Sequence, residues 1–107
     1  MIVSEKNVSD ALTYLAEGGA APAEAAFLAA EQRREKLFAS LFLVMTGSVE
    51  QRKSAVLIDD EYQKALSEEI AAKVEFSRCK SRVSAADKMI DIYRTEQSNI
   101  RAAEKIR

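Results

Sequence analysis

The chain has 107 residues, with 16 Lys+Arg against 17 Asp+Glu, one Cys, no His and a net charge of −1. That is one domain's worth of chain; 48% hydrophobic residues exclude a disordered polar tail, and 31% charged residues exclude a membrane protein. Only three Gly and one Pro exclude turn-rich sandwiches and barrels, and without His the commonest metal ligand and general base are missing.

The opening Met1-Ile2-Val3-Ser4-Glu5-Lys6 lacks the basic-then-apolar pattern of a signal peptide, and the lone Cys79 suits a reducing compartment. A soluble, cytoplasmic protein is expected. The first helix is read over residues 8–17, capped by Ser9 or Asp10, apolar at Leu12 and Leu15, and closed by Gly18 in the left-handed conformation. It is too short to stand alone and must dock on something.

The second helix is read over residues 22–46. Pro22 suits a first helical turn and Glu24 the positive end of the helix dipole. An Ala-rich start, Ala23–Ala30, leads through Arg33, Arg34, Glu35 and Lys36 into Leu37–Met45, apolar nearly all round. That pattern predicts a helix end buried on several sides, a core rather than a ligand pocket. It is also the longest apolar stretch, less than half of the roughly 20 residues that span a bilayer, so no membrane partner is expected.

Gly47 stops the second helix, and Ser48-Val49-Glu50-Gln51 reads as a capping box. No Gly or Pro follows Ser48, so one long helix is expected over residues 49–106, about 87 Å if unbroken. Ser84-Ala85-Ala86-Asp87 is a weaker second start signal, which would place a bend there. With Ala55 at heptad position a, the a positions are Ala55, Tyr62, Glu69, Phe76, Val83, Ile90 and Gln97, and the d positions Ile58, Ala65, Ala72, Cys79, Ala86, Tyr93 and Ile100. Leu66, Ile70 and Val74 widen the apolar face of the first half, as for a helix touching two neighbours. Beyond Phe76 the stripe narrows to a coiled-coil seam. The fold class is therefore all-α: a single domain, 1–107, in which a short, a medium and a long C-terminal helix form an uneven antiparallel hairpin or coiled coil. Leu37, Leu41, Phe42 and Met45 are expected to pack on Ile58, Tyr62 and Leu66.

The lengths do not match. A second helix of about 36 Å folded back from Gly47 covers the long one only to about residue 72, and the short first helix is expected to extend that cover by a turn or two without reaching the end. Phe76, Val83, Ile90, Tyr93 and Ile100 would then line an unpartnered apolar seam, which predicts a homo-oligomer, a dimer or higher. A bend near Ser84 is the alternative way to bury them.

Little of the sequence is catalytic. The acidic runs Asp59-Asp60-Glu61 and Glu68-Glu69 read as a solvated helix face rather than a metal cluster. Glu69, at an a position, either sets register or faces a partner's Arg, and Cys79 reads as a small buried side chain rather than a reactive thiol. No catalytic residue, metal ligand or cofactor is assigned. Charge is uneven: residues 1–72 carry 7 basic and 12 acidic side chains, residues 73–107 carry 9 and 5. Arg94, Ser98, Arg101 and Lys105 fall along one helix side, and Arg94, Arg101 and Lys105 are candidate phosphate contacts for nucleic acid. A solvated flank, or pairing with another subunit's acidic region, explains the same charges.

The segment Ile92-Tyr93-Arg94-Thr95-Glu96-Gln97-Ser98-Asn99-Ile100-Arg101-Ala102-Ala103-Glu104 resembles the end of small helical proteins encoded by tailed bacteriophages. In those, a long helix finishes with an aromatic–Arg pair, a Ser-containing turn, then Arg and Ala; Tyr93 stands where Trp is more readily expected. The resemblance covers the last third of the chain and implies a non-enzymatic phage protein, an accessory of replication or recombination. The function expected is a self-associating helical scaffold or adaptor engaging protein partners. The alternative is an accessory nucleic-acid-binding protein using the basic C-terminal helix.

Overall fold

In the computed structural model, which describes residues 3–106, the chain forms four helices and no strand among the described residues. They are α1 (Glu5–Ala16), α2 (Ala21–Val44), α3 (Val49–Leu57) and α4 (Asp60–Ile106). Met1, Ile2 and Arg107 lie outside the described residues, and with them part of the leader reading and the last basic charge. The all-α hairpin expected from the sequence is present, and within the chain two compact units are distinguished. The first joins Met1–Ala21 to Arg78–Arg107, and the second is the contiguous Pro22–Ser77. Both draw on α4, which runs through Ser84 without interruption.

In the first unit α1 starts earlier than expected. Ser4, not Ser9 or Asp10, is its N-cap and accepts a bond from the Asn7 N–H at 3.2 Å. The earlier start brings Val8 into the helix, onto a face shared with Ala11 and Leu15 at helical spacing. Gly18 closes the helix with positive φ; its N–H reaches the Leu15 carbonyl and the Gly19 N–H that of Tyr14. Val3, Val8 and Ala11 form a core with Ala86 and Ile90 of α4, flanked by Leu15, Met89 and Tyr93. Polar contacts fix the register. The Val3 N–H donates to Glu96 at 3.1 Å, the Tyr14 hydroxyl donates to the Cys79 carbonyl at 3.3 Å, and the Arg82 guanidinium lies 3.9 Å from the Tyr14 ring centre. The contacts run antiparallel, low numbers on α1 meeting high numbers on α4. A Cβ on Gly19 would sit 3.0 Å from Val83 Cγ2, so a glycine lets the chain leave α1 in close contact with α4.

In the second unit α2 and α4 are antiparallel. Phe27 meets Phe76 with ring centres 6.1 Å apart, Arg34 forms a two-point ion pair with Glu69, and Phe38 meets Tyr62 edge-on at 5.9 Å. Phe38 also stacks on Phe42. Leu37, Leu41, Phe42 and Met45 are half-buried as the hairpin requires, against buried Tyr62 and half-buried Leu66. Ile58, expected in that contact, is 79% exposed. So are Leu43 and Val44, at 80% and 73%, so the end of α2 is covered on one side and not on several.

The expected continuous helix 49–106 breaks at Ile58-Asp59. The Asp59 carboxylate accepts from the N–H groups of Glu61 and Tyr62 at 2.9 and 3.2 Å, which makes it the cap of α4, with Asp60 and Glu61 at the positive end of the helix dipole. The acidic run is a helix start and not a solvated mid-helix face. The break frees α3 to bury Val56 completely and to hold the Arg52 guanidinium 5.2 Å from the Phe42 ring centre. Arg52 Nε is buried there without a hydrogen-bond partner, its charge resting on the ring face instead.

The turn before α3 depends on Gly47, whose φ is +113°. The capping box of Ser48 and Gln51 is formed in both directions. A Cβ on Gly47 would lie 2.5 Å from Gln51 Oε1, the atom that accepts the Ser48 N–H. Gly47→Ala should therefore combine backbone strain with a displaced cap and destabilise the chain by about 1–3 kcal/mol in a denaturant titration. A loss of under about 0.5 kcal/mol would mean that the turn relaxes freely.

Candidate interaction surfaces

The five residues expected to line an unpartnered seam are mostly covered within the chain. Phe76 packs on Phe27 in the second unit. Val83 lies beneath Gly19, Ile90 is 8% exposed in the core, and Tyr93 packs against that core. Ile100 alone remains open, at 51%. The seam is corrected for a physical reason: α1 returns along the C-terminal half of α4, supplying cover that the length comparison assigned to another molecule. No bend at Ser84 is needed for it.

The candidate phosphate contacts Arg94, Arg101 and Lys105 are all exposed, and none forms an ion pair with another described residue. Continuing their 4-and-3 spacing toward the start of α4 passes Asp91 and then Asp87, both exposed. The stripe thus changes sign along its length: cationic at its end, anionic a turn or two before. The cationic stretch is confined to the last three turns.

Glu69 faces Arg34 of its own chain, not one of a partner. The Glu69 carboxylate first, and the Tyr62 hydroxyl second, push the Arg34 guanidinium further above its already high range and hold it charged. This pair locks the register of α2 on α4. Cys79 is half-buried, its carbonyl taken by Tyr14. Among the described residues no group of three or more His, Cys, Asp or Glu is placed to hold a metal ion, and no helix is long and apolar enough to cross a membrane.

What the sequence reading missed is apolar exposure elsewhere. Of the eleven exposed large hydrophobic side chains among the described residues, eight lie in Pro22–Ser77: Leu28, Leu43, Val44, Val49, Leu57, Ile58, Ile70 and Val74. The widened flank was visible in Leu66, Ile70 and Val74, but the second neighbour expected there is absent; Ile70 and Val74 are 55% and 56% exposed.

Family models, curated proteins and solved structures were compared with the chain, and none matches.

Proposed function

We propose that this protein is a non-enzymatic, cytoplasmic helical scaffold or adaptor that associates with itself, of the kind that tailed bacteriophages encode. One observation carries the reading: the eight large apolar side chains left open on a unit of only 56 residues, Pro22–Ser77. Exposed apolar surface in such concentration marks protein contact sites. The residues that hold the fold together, Arg34 with Glu69 and Tyr14 with Cys79, are taken up in packing, which leaves surfaces rather than a chemical centre as the exposed features. Sedimentation equilibrium of the 11.8 kDa chain at tens of micromolar should report a dimer or larger species. A monomer at every concentration overturns the reading.

The exposed cations Arg94, Arg101 and Lys105 favour a second reading, an accessory of nucleic-acid transactions. On it, single-stranded DNA binds at low ionic strength, and replacing the three by Gln weakens binding and flattens its dependence on salt. Absence of binding to DNA and RNA at low salt removes it.

A further inference from the structure

The contacts Phe27–Phe76, Arg34–Glu69 and Phe38–Tyr62 define the line along which α2 and α4 face each other. At about 100° per residue, Leu28 on α2 and Ile70 on α4 stand roughly 80–120° round from that line, and Val74 on α4 roughly 120–160° round in the same sense. In an antiparallel pair, equal rotation in the same sense puts residues of both helices on the same side, so these three share one side of the hairpin. Leu28 and Val74 also share one level, since Leu28 adjoins Phe27, Val74 lies two residues before Phe76 and the two rings are in contact; Ile70 lies about one turn away along α4. The opposite side follows the same geometry. It carries a shallow groove lined by Arg33, Leu37, Glu61, Lys64, Ala65 and Glu68, charged in both signs. The groove side is thus lined mainly by charged residues, and the other side carries an apolar patch of Leu28, Ile70 and Val74, each about half exposed, flanked by charged side chains.

We propose that a second copy of this chain docks on the side that carries this patch, two hairpins face to face as a four-helix bundle, with Leu28 of each copy against the partner's Ile70 and Val74. The proposal rests on the self-association reading and specifies its surface. The charge pattern of this side selects both occupant and orientation. The α2 edge of this side carries Glu24, Leu28, Glu31 and Glu35 at 4-3-4 spacing, three acids and no base. The α4 edge carries Leu66, Ile70, Lys73 and Ser77 at 4-3-4 spacing, a base and no acid. A two-fold axis parallel to the helices sets each acidic edge against the partner's basic one and Leu28 against Val74. An axis across the helices sets three carboxylates against three carboxylates and is disfavoured. The surface is complementary to itself in only the first arrangement.

The test uses the full chain with Cys79→Ser, carrying either Leu28→Cys or Val74→Cys, on two tags of different size. In mildly oxidising buffer the mixed pair should form the disulfide between unlike chains at least about tenfold faster than either variant does with itself, since a disulfide closes only when Cα atoms approach within about 7 Å. Faster Leu28→Cys homodimers would overturn the proposed orientation. Oligomers in sedimentation that give no mixed cross-link would overturn the surface while leaving self-association standing. A monomer in sedimentation would overturn both.

Discussion

Replacing Ile90 by Ala should lower the stability of the chain by about 2–5 kcal/mol, the range for emptying a buried aliphatic site. Ile90 is 8% exposed and shares its cluster with Val3, Val8, Ala11 and Ala86, all small or β-branched and joined through two stretches far apart in sequence. Such a site collapses poorly, because α1 is held in register at both ends by the Val3–Glu96 and Tyr14–Cys79 bonds. The loss should be the same at every protein concentration, since the cavity opens inside one molecule. A stability deficit that grows on dilution would return Ile90 to an interface between copies. Ile90→Asp should be harsher still, burying a charge with no partner and releasing α1 rather than separating subunits.

Tyr62→Ala should cost about 3–5 kcal/mol by the same denaturant measurement, the second of the two largest effects. Tyr62 is 6% exposed, meets Phe38 edge-on, and supports the guanidinium of Arg34 through its hydroxyl. Tyr62→Phe separates the two roles: it keeps the ring contact and removes the hydroxyl, so about 1 kcal/mol is expected. Equal losses for both substitutions would mean that the hydroxyl, and not the ring, holds α2 to α4.

Several features of this fold are written in short-range chemistry and were legible for that reason. Gly18 and Gly47 sit where helices end, the Ser48–Gln51 box opens α3, and apolar spacing sets α2 against α4 through Tyr62. The break at Ile58-Asp59 was also encoded, in an aspartate followed by two acids, but the same residues read equally well as a wet helix face. Which reading holds depends on whether Val56 gains more from burial than the helix loses from interruption, and that is a tertiary quantity. That α1 must dock was legible, but the extent of its cover over Val83, Ile90 and Tyr93 was not. Helix length limits how far a neighbour reaches but does not say which neighbour arrives, and α1 docks on residues some 65 to 93 positions away. The exposure of Leu43, Val44, Ile70 and Val74 was misread because periodicity reports a face that is apolar, not whether anything lies against it.

That wide separation has a consequence for the chain as it is made. Residues Pro22–Ser77 form a contiguous unit, while α1 finds its core only in Arg78–Arg107. At about 5–20 residues per second, roughly 3–11 s pass between completion of Ala21 and arrival of Arg78 at the ribosome. During that interval Val8 and Ala11 have no native partner, and the hairpin of α2 and α4 can close first. A chain whose synthesis halts shortly after Ser77 therefore has every residue of the hairpin unit, while the apolar face of α1 lacks the residues that cover it. Proteases and chaperones can read that face as the mark of an unfinished molecule.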